Sequence, residues 1–106
     1  MSIVLRYFFD PGSGVCLWSG NAEAEARWGY AVDHAALPLR DGTRRFLQEL
    51  VVRFDTSIDW SDPGAAGGRW SAEDRARFRA AAADGLSLLR RELAGQGYVF
   101  MDETGA

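Results

Sequence analysis

Two stretches of helical periodicity constrain this chain most, because each must bury an apolar stripe within a molecule of 106 residues. Phe46, Leu47, Leu50, Val51 and Phe54 recur three and four apart, which lines them along one side of a helix over 41–55. Phe78, Ala82, Gly85, Leu86, Leu89 and Leu93 do the same over 72–94. Asp41 is the expected N-cap of the first helix, its oxygen reaching the amide of Thr43 or Arg44. Ser71 with Asp74 three residues on resembles a capping box at the start of the second. Glu73 and Asp74 suit the positive end of that helix dipole, Arg90 and Arg91 the negative end, and Gly95 and Gly97 stop it. A glycine in mid-helix costs about 1 kcal/mol against alanine. Close packing against a neighbour would explain Gly85.

Something must cover both stripes, and the flanking segments supply it. Residues 2–9 alternate Ile3, Leu5, Tyr7 and Phe9 with Val4, Arg6 and Phe8, the period of a strand with both faces partly covered. Asp10-Pro11-Gly12-Ser13-Gly14 is turn chemistry, and Val15–Ser19 follows as a second strand in an antiparallel hairpin. Residues 20–37 fit two descriptions: a helical turn capped by Asn21, and an extended run through Trp28, Tyr30 and Val32. Residues 56–70 form a long loop, and Tyr98–Met101 a last strand beside the first. The expected fold is α+β, in the order β-β-(β)-α-α-β. A small antiparallel sheet of three or four strands carries two helices on one face, in a single domain over 1–106.

Composition narrows the function classes. Net charge is −3 and all 12 basic residues are arginine, so the domain has no general attraction for phosphate backbones and nucleic acid is not an expected partner. The apolar N-terminus is too short for a signal peptide, no run approaches a membrane span, and the expected location is the cytoplasm. The single cysteine, Cys16, allows no internal disulfide and sits among hydrophobes, where a thiol is unreactive.

No catalytic set assembles from the remaining candidates. His34 is the only histidine, so any nucleophile–histidine pair would have to use it. Asp55, Asp59 and Asp62 bracket Trp60, but their spacing is not a calcium loop, and short acids of this kind more often tie down turns. Arg75, Arg77 and Arg79 splay around a helix as a solvated face. No metal or cofactor is expected. The four tryptophans say more. Trp18 and Trp60 are expected to close the ends of the core with indole N–H groups on loop carbonyls, while Trp28 and Trp70 stay open to either role.

Several segments together resemble a family of small bacterial proteins of uncharacterised function, met mostly in actinobacteria. They are Cys16-Leu17-Trp18 with Gly20-Asn21, Trp28-Gly29-Tyr30 and Leu37-Pro38-Leu39. Phe54-Asp55-Thr56-Ser57-Ile58-Asp59-Trp60, Trp70 and Glu92-Leu93 continue the pattern. The resemblance implies a stand-alone domain and no particular activity. Some small proteins of similar size and shape are toxin-immunity proteins, an analogy of architecture alone.

The chain is therefore expected to be a non-catalytic protein-binding module, an immunity or accessory factor among the options. Its docking residues would be Asp59, Trp60, Asp62, Arg69, Trp70 and Trp28, with aromatic anchors inside an acidic rim. The alternative is a small-molecule binder or small enzyme, with a pocket between sheet and helices near Trp18, Trp28 and Trp60. Arg6, Asp59 and His34 would converge there. A homodimer through the Tyr98–Met101 edge is compatible with both.

Overall fold

The computed structural model describes residues 2–62 and 68–104. The centre of the long loop, 63–67, lies outside the described residues. Strand β1 (Ile3–Tyr7) buries Ile3, Leu5 and Tyr7 and leaves Val4 and Arg6 half-buried, as the alternation predicts. Strand β2 (Leu17–Ser19) pairs antiparallel with it, setting Trp18 beside Arg6 and Leu17 beside Tyr7. Helix α1 (Ala22–Trp28), strand β3 (Ala31–Val32) and a 3-10 turn at His34–Ala36 follow. Helices α2 (Asp41–Asp55) and α3 (Ala72–Glu92) precede the last strand, β4 (Tyr98–Asp102). The fold is α+β, with four strands in the order β3-β2-β1-β4.

The sheet is mixed, not wholly antiparallel: β4 lies beside β1 as expected but runs parallel to it. The reason lies in α3. Its 21 residues carry the chain about 31 Å along the sheet and return it to the end where β1 begins, so that Gly97 O accepts the Ile3 amide at 2.8 Å. From there the strand can only run alongside β1 in the same direction.

The 20–37 stretch combines both expected descriptions. Asn21 caps a helix of two turns, its Oδ1 accepting the Ala24 amide at 3.0 Å, and the same side chain donates to Ser2 O. Trp28 belongs to the last turn of that helix and not to an extended run, because Gly29, at φ 79°, ends α1 only there. Only Ala31 and Val32 are strand.

Asp41 is not the cap of α2. The N-cap is Arg40, which offers no side-chain acceptor, and Asp41 is the first helical residue. Glu92, at the end of α3, does the capping from across the structure. Its carboxylate accepts the Arg40 amide at 2.8 Å and the Thr43 hydroxyl. Ser71 and Asp74 do form the reciprocal capping box of α3. Gly85 has the expected cause too: a Cβ there would lie 2.8 Å from the Tyr7 hydroxyl and 3.1 Å from Leu50. Tyr7 donates that hydroxyl to Ala82 O at 2.8 Å, pinning α3 onto β1. Buried side chains from the sheet and all three α-helices form one cluster.

Candidate functional site

The connection after α2 is built on its own hydrogen bonds. Thr56 and Ser57 donate their hydroxyls to Arg53 O and Phe54 O, satisfying carbonyls the ended helix leaves open. Ser57 O accepts the Arg69 amide at 2.8 Å, so the far side of the loop is tied to its beginning. Asp59 accepts both the amide and the hydroxyl of Ser61, and these bonds hold its carboxyl below the usual range. Asp55 accepts the Gly12 amide at 3.0 Å, joining the loop to the β1–β2 turn. Asp55 and Asp59 thus serve turns, as short acids commonly do. Among the described residues no group of three or more His, Cys, Asp or Glu is placed to hold a metal.

Both loop tryptophans are oriented by this frame. Trp18 donates its indole N–H to Phe8 O at 3.1 Å, the loop-carbonyl bond expected of it, while Trp60 donates to Asp55 O at 3.0 Å, the last carbonyl of α2 and not a loop carbonyl. Trp60 nevertheless stays 55% exposed, and Val52, one turn back on α2, is 57% exposed. Trp70 donates to the Thr56 hydroxyl, and its ring lies 5.0 Å from Phe78. Val52, Ile58, Trp60 and Trp70 line a shallow cleft of about 600 Å³, with Asp55, Thr56 and Arg69 as its polar members. Arg53, Asp74 and Arg77 stand on the other side of Trp70. The rim is therefore split, acidic beside Trp60 and largely basic beside Trp70, where the sequence suggested acid alone.

The structure brings Trp60, Arg69 and Trp70 together in that cleft, with Asp59 and Asp62 in the adjoining turn. Trp28 is elsewhere. It stacks on Tyr98, which pairs with Ile3 at the start of β1, while Trp60 sits near Gly12 beyond the other end of that strand. Trp18 occupies a third place, the sheet face that also carries Arg6 and Phe8. There it stacks on Phe8 at 4.7 Å and meets Tyr30 at 5.1 Å, and it is 5% exposed. Arg6 lies over the Phe8 ring and makes a two-pronged ion pair with Glu103. Between sheet and helices the space is filled by buried Leu5, Tyr7, Leu17, Leu47, Leu50 and Leu89.

One pairing escaped the sequence. His34 and Cys16 are both buried, and His34 Nε2 lies 3.3 Å from the Cys16 amide nitrogen and 3.3 Å from its sulfur. The amide N–H is a donor, so Nε2 must be the unprotonated nitrogen of a neutral ring. Burial lowers the His34 pKa against the weaker opposing pull of Asp33, and burial pushes the Cys16 thiol up to about 12. A thiol held in its neutral form and shut from solvent is not a nucleophile. The pair is an internal tie between Cys16, the residue ahead of β2, and the 3-10 turn. Its members are eighteen residues apart, with no periodicity to link them. Val52 and Ile58 were also missed, although Val52 extends the apolar run Leu50-Val51 beyond the buried stripe.

No family model matches the chain, and no curated protein matches it either. Among the described residues no helix is long and apolar enough to cross a membrane.

Proposed function

We propose that this protein is a non-catalytic binding module that docks another protein through the cleft between α2 and the loop after it. The observation that carries this reading is the pair of exposed apolar side chains, Val52 and Trp60. They flank a cleft whose backbone is already tied down by Asp55, Asp59 and Ser57. A large ring held in place loses little conformational entropy when a partner covers it, which makes tryptophan a frequent anchor. The split rim suits a partner that presents an apolar side chain between charges of both signs. An accessory or immunity role is the narrower form of this reading, and it rests on size and architecture.

The test begins with crosslinking capture from the native cytosol and identification of what is held. Binding of the purified partner is then measured by titration calorimetry to wild type, Trp60→Ala, Val52→Asp and a distant control, Glu23→Ala. Trp60→Ala and Val52→Asp should each weaken binding by about tenfold or more, and the control should leave it unchanged. Equal affinity across all four, or no captured partner, ends the proposal.

A further inference from the structure

We infer that β4 is the contact strand of a symmetric dimer, pairing antiparallel with β4 of a second copy. The backbone is the first ground. Gly97 O accepts from Ile3, and Glu103 donates to Tyr7 O, so odd-numbered positions of β4 face β1. In a parallel ladder the alternate residues, Tyr98, Phe100 and Asp102, then turn their N–H and C=O groups to the other side. β4 is the last strand in the sheet order, so that side is a free edge. The described hydrogen bond on it runs from Arg90 to Phe100 O at 3.2 Å, which spends one lone pair of one carbonyl. An edge of five residues with no proline and an unbroken register is a template for another strand, Arg90 being the one charged side chain the described bonds place on it.

The side chains select a second copy as the occupant. A two-fold axis through Phe100 sets Val99 of one chain opposite Met101 of the other, and Tyr98 opposite Asp102. Val99 and Met101 are the two apolar side chains of β4 that solvent reaches most, at 46% and 47%. The symmetry that pairs the edge backbones also pairs these two side chains. The charges fit the same direction. Asp102 and Glu103 stand at one end of the strand, so the antiparallel arrangement holds the two Asp102 residues about 13 Å apart, beyond the screening length of physiological salt. A parallel pairing would stack them. This surface does not depend on the loop cleft, and either can exist without the other.

Light scattering across a concentration series of the full chain should show a dimer in the micromolar range. Val99→Lys/Met101→Lys should raise its dissociation constant at least tenfold while the far-UV spectrum stays native. Val99→Cys mixed with Met101→Cys should crosslink on oxidation, because that pair faces across the axis at a distance a disulfide can span. Val99→Cys alone should not, and Cys16, being buried, should not compete. A wild type that stays monomeric at the highest soluble concentration, a dimer indifferent to the lysines, or Val99→Cys crosslinking to itself overturns the inference. The crosslinking arm decides the matter even if the lysine variant misfolds.

Discussion

At the residue scale, Tyr7 and Gly85 are a single device. The hydroxyl on Ala82 O needs α3 close, and the missing side chain at 85 lets it come close. Gly85→Ala gains about 1 kcal/mol of helix propensity but forces a methyl against Tyr7 and Leu50, where overpacking costs about 1–3 kcal/mol. Urea unfolding should show a net loss. Tyr7→Phe should cost about 1 kcal/mol for the lost hydrogen bond. Because it also removes the atom the methyl would strike, Gly85→Ala should be less harmful in that background. Additivity of the two changes would contradict this coupling. His34 makes the second residue-scale prediction. Its folded pKa lies below the unfolded value of 6.5, so the unfolded chain binds the proton more readily. Stability is full above pH 6.5 and declines as pH falls from there toward the lowered folded value. Chemical denaturation at pH 7.5 and 5.5 should show wild type losing more stability than His34→Gln, and equal losses would contradict it.

Elements depend on partners that their own segments do not contain. Helix α2 is amphipathic enough to be read from spacing, yet its N-terminus is finished by Glu92 from α3. Burial alone would raise the Glu92 pKa, but the Arg40 amide and the Thr43 hydroxyl outweigh it and leave the carboxyl below its usual value. Glu92→Gln weakens an acceptor at the positive end of a helix and should cost about 1 kcal/mol. Hydrogen exchange should speed up first at the amides of 40–44, and unchanged protection there would contradict the capping role. The stabilisation is present above the unfolded carboxyl pKa and is lost as pH falls through the lowered folded value. Helix α3 was readable at its start because that cap is local, Ser71 and Asp74 being three residues apart, whereas it ends at Glu92, two residues short of the expected 94.

For the whole molecule, β1 and β4 are neighbours in an open sheet, so the sheet is complete only once β4 has returned. Phe100 enters the common core from β4, and β1 loses its hydrogen-bonded partner on that side without it. Truncation after Gly97 should abolish cooperative unfolding in circular dichroism melts; a retained sharp transition would show that β4 is dispensable. The same late return gives the sheet its mixed character and leaves β4 as an edge. The candidate docking cleft also exists only at this scale, because α2, the loop after it and Trp70, next to the Ser71 cap of α3, all contribute walls.

Periodicity and local capping are short-range, so both long helices, the first hairpin, the Asn21 cap and the α+β class could be read from the residues alone. The indole bond of Trp18 was legible for the same reason: a buried indole N–H needs a nearby carbonyl. Strand direction, the Glu92 cap, the Cys16–His34 tie and the separation of Trp28 from the loop tryptophans join residues far apart in the chain. Such contacts follow from how the stripes settle against one another in space, and nothing in local spacing encodes that.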